Sequence, residues 1–425
     1  MTPQKTPLFN RLETISKGVK SRVNDHYDKV RQYAAEGKPT VWVEGPCPTE
    51  LWLTADVPYV HSGNFPAMTA ALHLQRPFLE EAEAAGYSSK ICSYCRIMIG
   101  AALMVRSGKI KEMPINLQLP RPSFLFTFNG CPAFARSIEA MEKILEVPGF
   151  IIDCPYHYNT GNRFEYEWAI GYVENQLKEF IPFLEKYTKK PFDWDLLRST
   201  LKNVREEVRI RQEIRAIAAK AHPTPIVFGD WLSVIALANV LRGQPWMLDF
   251  LREVKEEVIK RANEGIGSVP SEQHRLYWHN ITIWYKTRDI TEYLAKNNAS
   301  IACSNYTFGF CEHSWDYGEF YDNPERPLKP VAEEHALRHP VGVQWRMRNL
   351  KHASEQFAVD GMIFHAPLTC RSMGANSWMI LEDAKKQLNM RGVVIEADHT
   401  DPDRYSREQV EDRLETFIET NFSKG

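Results

Sequence analysis

The chain has 425 residues, 44% of them hydrophobic, and a formal net charge of -2. That length accommodates two or three domains with separate cores, and the near-neutral charge gives no electrostatic reason to expect nucleic acid as a partner. No apolar run approaches the ~20 residues that span a bilayer, and the start, MTPQKTPLFNRLETISKGVK, lacks the apolar segment and small-residue site of a secretory leader; a cytoplasmic protein without membrane association is expected.

In chain order, residues 1–39 read as a polar, charged helical segment with no chemistry of its own. A strand over 40–43 leads into the turn Gly45-Pro46-Cys47-Pro48. Helical periodicity over 67–85 is interrupted at Pro77, which marks a kink or boundary. Cys92-Ser93-Tyr94-Cys95 precedes an apolar helical run over 97–105. The apolar stretch 123–128 ends at Asn129-Gly130-Cys131, followed by a helical pattern over 134–145 and a strand over 150–153. A long helical region, 174–296, has breaks near Pro223-Thr224-Pro225 and over 265–270. A strand over 299–303 follows, and 361–365 ends near Pro367-Leu368-Thr369-Cys370, ahead of a helix reaching Leu388 and a strand over 393–396. Strand–helix–strand units of this kind make parallel sheets with right-handed crossovers. The expected fold is therefore α/β, with two parallel-sheet, flavodoxin- or Rossmann-like domains at 40–173 and 297–425 and the helical region 174–296 between them.

Eight cysteines need an explanation in a reducing compartment, where structural disulfides are disfavoured. Most can be small core residues. Cys131 and Cys370 differ, because each sits just past a buried-type strand at the mouth of a helix. Open parallel sheets bind ligands beyond the carboxyl ends of their strands, so an interdomain cleft would bring the two together. A helix N-terminus favours thiolate over thiol and stabilises an anionic iron–sulfur core. Cys92, before the third helical run, would join them. Three scattered cysteines do not make a ferredoxin signature. The Cys92-x-x-Cys95 pair also permits zinc or a redox dithiol, but zinc wants a second pair and a thioredoxin-like motif wants a preceding strand; 86–89 reads as a loop.

The segments ICSYCRIMIGAAL, FTFNGCPAFARSIEAM, IFHAPLTCRSMGANSWMILED and VIEADHTDPDRYSREQVEDRLETFIE resemble the benzoyl-CoA reductase and 2-hydroxyacyl-CoA dehydratase family, and within it the larger, beta-type cluster-bearing subunit. The likeness runs from about Thr40 to Ile418. It implies that Cys92, Cys131 and Cys370 hold a [4Fe–4S] cluster in the interdomain cleft, with a fourth ligand that is not a protein cysteine. Cys95 stands where the family usually has an apolar residue. Cys47, Cys154, Cys303 and Cys311 do not reproduce the pattern of the double-cubane branch and read as core or cleft residues.

The resemblance further implies a subunit of an ATP-dependent benzoyl-CoA reductase that dearomatises an aromatic acyl-CoA with low-potential electrons. The alternative is a subunit of a 2-hydroxyacyl-CoA dehydratase, a lyase working through a ketyl radical; a second alternative is an electron-transfer scaffold with no substrate of its own. The chain has no G-x-x-x-x-G-K-[ST] or G-x-G-x-x-G motif. ATP would be hydrolysed by a partner, a separate iron–sulfur activator, and a homologous second cluster-bearing subunit would complete a heterodimer. Which subunit seats the acyl group is left open by the resemblance. Ring reduction is favoured by the look of the local segments, with the aromatic residues, 12% of the chain, as candidate pocket material.

Chemistry of this kind also needs protons. His157, after the strand ending in Asp153-Cys154-Pro155-Tyr156, and His313 with Glu312, after Cys311, are candidate donors at the cleft rim. Glu50 matches a polar position near the family's cleft, or caps a helix. Asp398-His399-Thr400-Asp401 reads as a turn with Asx-type bonds or as a site element.

Overall fold

The computed structural model describes residues 8–156, 163–311, 325–337 and 343–422. In chain order the first part comprises α1 (Glu13–Ala35), β1 (Val41–Glu44), α2 (Thr49–Thr54), β2 (Tyr59–His61), α3 (Asn64–Ala71), α4 (Arg76–Ala84), α5 (Ser93–Ser107), β3 (Phe124–Phe128), α6 (Pro132–Leu145) and β4 (Gly149–Ile152). Then come α7 (Arg163–Thr188), α8 (Trp194–Lys220), α9 (Phe228–Val240), α10 (Met247–Glu264), β5 (His274–His279), α11 (Thr287–Lys296), β6 (Ala299–Ser304), α12 (Asn305–Cys311) and α13 (Lys329–Leu337). The last are α14 (Val343–Phe357), β7 (Gly361–Pro367), α15 (Arg371–Gly374), α16 (Ser377–Leu388), β8 (Arg391–Ala397) and α17 (Arg413–Phe422).

The strands form two four-stranded sheets, ordered β2-β1-β3-β4 and β6-β5-β7-β8, and every pairing within them is parallel. The α/β class with two parallel sheets is thus as expected. Each sheet has the same winding: its first strand is central, the second pairs on one side, and the third and fourth on the other. The reversal of direction opens a crevice beyond the carboxyl ends of β1 and β3, and another beyond β5 and β7.

Residues that can be buried on both faces make such strands. β3 is Phe-Leu-Phe-Thr-Phe and β7 is Gly-Met-Ile-Phe-His-Ala-Pro, and both are buried throughout. Continuous apolar runs of this kind suit a sheet covered by helices on both sides. Trp52 of α2 packs edge-on to Phe126 at 5.0 Å and to Phe180 of α7 at 5.7 Å, closing one face of the first sheet. Cutting a buried indole like this to alanine costs ~3–5 kcal/mol. Pro77 falls at the N-terminus of α4, so it marks a boundary rather than a kink. α5 then lies so close to α4 that a Cβ on Gly100 would stand 1.9 Å from the Phe78 carbonyl oxygen; only glycine fits there.

Two strands were not evident from the sequence. β2 is three residues long, too short for a period-2 pattern to show. β5 lies inside the stretch read as helical, so the second sheet draws its central strand from before residue 297. Its sequence, His-Arg-Leu-Tyr-Trp-His, buries Arg275 through side-chain bonds to Glu272, Ala219 and Phe357, which disguises the strand as a polar segment. α1 is also more than a charged surface helix: Ile15, Val19, Val23, Tyr27 and Val30 are buried along one face.

Candidate functional site

A cavity of about 1340 Å³ lies beyond the carboxyl ends of both sheets. Its wall includes residues that follow β1 (Gly45), β3 (Cys131), β5 (Asn280), β6 (Asn305), β7 (Cys370) and β8 (His399). Both sheets therefore aim their strand ends at one space. Much of the lining is apolar, and Ile15 and Val19 bring α1 into the wall.

Cys92, Cys131 and Cys370, far apart in sequence, all line this cavity. Cys92 caps the start of α5, Cys131 that of α6, and Cys370 that of the short α15. Local sequence explains each placement. Pro132 suits the first turn of α6 because its missing N–H needs no partner there. Thr369 and Ser93 join the loops that carry Cys370 and Cys92, since the Ser93 N–H donates to Thr369 Oγ1 at 3.1 Å.

The three thiols share an electrostatic neighbourhood. Burial pushes the Cys370 thiol up, and the nearby Cys92 and Cys131 add to the effect. Burial also raises Cys131, opposed by Ser372, whose Oγ lies 3.4 Å from its sulfur, and by the backbone N–H groups of Ala133 and Phe134. Cys92 goes the other way. Hydrogen bonding with Cys95 holds its thiol well below the ordinary range against burial, and His399 assists with Nε2 4.0 Å from the sulfur. Cys95 is correspondingly raised; its Sγ lies 3.7 Å from the Ala133 carbonyl oxygen, and it is buried outside the cavity wall.

His399 reaches the cavity through the Asp398–Asp401 turn. Asp398 Oδ1 accepts the N–H groups of Thr400 at 2.9 Å and Asp401 at 2.8 Å, an Asx-type arrangement. Asp398 Oδ2 accepts Thr369 Oγ1, and Oδ1 lies 3.7 Å from His399 Nδ1. The stretch is thus a hydrogen-bonded turn and a wall of the cavity at once. Asp401 also binds Arg96 at 2.6 Å, and Arg96, fully buried, bonds Glu83 and the Ile91 carbonyl just before Cys92.

Glu50 does not cap α2. It is buried in the first turn of that helix against Arg242, with Oε1 2.8 Å from Nη2, and is absent from the cavity wall. Burial raises its carboxyl, Arg242 opposes this, and Glu334 adds to it. Arg242 Nη1 donates to Glu334 at 2.8 Å, and Glu334 does line the cavity. Glu334 was missed by the sequence reading, because only the fold places α13 against this arginine. His157 and His313, with Glu312, lie outside the described residues. Cys47, Cys154 and Cys303 are buried free thiols, each raised by burial.

No three of His, Cys, Asp or Glu among the described residues are gathered as a single bound ion requires. A cubane cluster ties each thiolate to a different iron and asks instead for separated thiols around a shared space. The donor set fits that demand: three cysteine sulfurs on three loops, each at the mouth of a helix, with backbone N–H groups favouring the thiolates of Cys131 and Cys370. Among the described residues no helix is long and apolar enough to cross a membrane.

Comparison with known proteins gives the family. The chain is 23% identical over 391 residues to the (R)-phenyllactyl-CoA dehydratase alpha subunit of Clostridium sporogenes, covering 91% of both chains. It is 23% identical to the alpha subunit of the lactoyl-CoA dehydratase of Anaerotignum propionicum, covering 92% of both. It is 25% identical over 352 residues to a subunit of the benzoyl-CoA reductase of Thauera aromatica, covering 80% of this chain and 78% of that protein. The family model described as 2-hydroxyglutaryl-CoA dehydratase, D-component, matches residues 46–421, and the chain belongs to that family.

Proposed function

We propose that this chain is the iron–sulfur subunit of an enzyme that adds low-potential electrons to a CoA thioester, with Cys92, Cys131 and Cys370 as the thiolate ligands of a [4Fe–4S] cluster. The observation that carries the reading is the convergence of these thiols on a cavity framed by the carboxyl ends of both sheets. When bound, such a cluster supplies single-electron chemistry and one iron with no cysteine attached. The rest is the work of the chain's own side chains. The apolar wall, with Tyr94, Phe134, Trp284 and Phe308 in it, excludes water from an acyl group. Glu50, whose carboxyl burial raises against the opposing charge of Arg242, is assigned as a proton donor behind the wall to which Glu334 belongs. His157 and His313 are assigned as further proton donors. ATP hydrolysis falls to an iron–sulfur activator and the remaining cluster to a homologous partner subunit.

For the reaction we favour reduction of an aromatic acyl-CoA ring. The likeness to the Thauera aromatica benzoyl-CoA reductase and the aromatic residues of the wall support it. Dehydration of a 2-hydroxyacyl-CoA is the second reading, supported by the 91% and 92% coverage of the two dehydratase alpha subunits. The test is anaerobic: the purified complex, reduced activator and ATP are given benzoyl-CoA or a 2-hydroxyacyl-CoA. A cyclic diene thioester is expected from the first; turnover of the second alone reverses the order. Acyl-CoA is also expected to perturb the electron paramagnetic resonance signal, and a signal blind to every acyl-CoA would leave only the scaffold reading.

A further inference from the structure

His279 is the last residue of β5, the central strand of the second sheet, and β7 pairs beside it. It therefore stands at the point where the winding of that sheet reverses, the place where doubly wound sheets receive ligands. Only 1% of it is exposed, yet it lines the cavity, and among the described residues neither Nδ1 nor Nε2 has a hydrogen-bond partner. A buried polar atom left in this state costs ~1–3 kcal/mol, so such atoms in folded proteins call for an explanation.

The surroundings narrow that explanation. One face of the ring stacks on Phe364, with centroids 4.5 Å apart, which fixes the plane of the imidazole. The adjacent polar groups are already engaged. The Asn280 side-chain amide donates to the carbonyls of His365 and Met373 and to Ser377, and its backbone N–H donates to Asn305. Arg346, also in the wall, donates to the Ser372 carbonyl at 2.9 Å. Burial, reinforced by the positive charge of Arg346, lowers the imidazole to about 3, so the ring is neutral at ordinary pH and offers one N–H donor and one acceptor.

We infer that His279 is a substrate-binding residue whose neutral N–H donates to the thioester carbonyl oxygen of the acyl-CoA. The inference rests on the proposed function and adds to it the residue that holds the reacting carbonyl. A donor fixed in a dry site is most effective at an oxygen that gains negative charge, because nothing need reorganise when the charge appears. That oxygen gains charge when the conjugated acyl group accepts an electron. A neutral imidazole keeps its proton and polarises the carbonyl without becoming an acid. Arg346 adds a positive charge of the sign that favours the same oxygen.

The experiment uses the complex with its partner subunit and benzoyl-CoA carrying a ¹³C thioester carbonyl. Infrared difference spectra are expected to show the bound carbonyl band displaced to lower frequency in the natural protein. In His279→Phe the displacement should be lost and kcat should fall by about 100-fold with KM little changed, iron and sulfide content staying as in the natural protein. His279→Asn and His279→Gln, close in volume, place an N–H near Nδ1 or Nε2, and one of them should keep part of the displacement. A natural protein that binds the labelled thioester with no displacement overturns the inference, whatever the variants do. So does a displacement that survives in His279→Phe, or a fall in its iron content, which would tie the residue to the cluster instead. Calorimetry separates the two levels: absence of any acyl-CoA binding by the natural complex overturns the proposed function and this inference with it, whereas binding without the band shift overturns the role of His279 alone.

Discussion

The backbone N–H of Ser93 donates to Oγ1 of Thr369 at 3.1 Å, joining the residue after Cys92 to the residue before Cys370. Thr369 in turn donates to Asp398, so one hydroxyl couples the loops beyond β7 and β8 to the start of α5. Replacing Thr369 by Val keeps the shape and removes both bonds, leaving the N–H of the fully buried Ser93 unsatisfied. A loss of about 2 kcal/mol in urea unfolding is expected, with reduced iron uptake on anaerobic reconstitution. Thr369→Ser should retain most of both; equal iron uptake by Val and Thr would show that this tie does not position the thiols.

The cysteines divide into two groups with different expected behaviour. Cys92→Ala, Cys131→Ala and Cys370→Ala should each reduce bound iron and sulfide sharply in anaerobic preparations. Cys303→Ala, at a fully buried position in β6, should bind iron as before and lose about 1 kcal/mol of stability from the small void. Undiminished iron in any of the first three would remove that residue from the ligand set.

Arg96 is fully buried on α5 and joins Glu83 on one side to Asp401 on the other, while its Nε holds the Ile91 carbonyl. Arg96→Met leaves the Asp401 carboxylate buried without its main partner, which typically costs ~3–5 kcal/mol. Chemical denaturation should show this loss, and combining Arg96→Met with Asp401→Asn should recover part of it, because the two residues act as a pair. Simple additivity of the two changes would contradict the coupling.

Glu44 closes β1 as His279 closes β5. Its Oε1 accepts from Ser137 at 3.1 Å, and burial raises the carboxyl to about 8 against hydrogen bonding with Ser62 and Ser137. The unfolded chain releases this proton near the ordinary glutamate value of ~4.3. Its contribution to stability is therefore fully present below about 4.3 and is lost as pH rises through 8, by a few kcal/mol at about 1.4 kcal/mol per pKa unit. Glu44→Gln has nothing to ionise, so the natural protein should weaken relative to it between pH 5 and 8. Urea titrations at several pH values would check this, and parallel stability curves for the two proteins would refute it.

Much of the fold was legible because local rules suffice for it. The runs 123–128 and 361–365 are continuously apolar, which a strand covered on both faces requires, and each is followed by a helical pattern. The three cysteines stood out for the same reason: each precedes a helix, and two of them follow a strand. The matched family extends over the segments that carried the resemblance. Glu334 and His279 were not legible. Glu334 looks like any charged residue of a helix until the fold sets α13 beside Arg242. His279 belongs to a strand whose Arg275 is buried by distant carbonyls, so the segment reads as polar.

The sequence by itself determined which stretches are strands buried on both faces, where helices begin, and which thiols sit at those beginnings, since all of these follow from side-chain pattern and backbone preference within a few residues. Tertiary structure alone decided that both sheets open toward one cavity, that α1 closes part of it, and that the carboxylate of Glu50 turns to Arg242 rather than to the cavity. Those outcomes depend on the winding order of the sheets and on pairs such as Glu50–Arg242 and Arg96–Asp401, whose partners are 192 and 305 residues apart. No local pattern encodes a contact over that distance; it exists only once the crossovers have been packed.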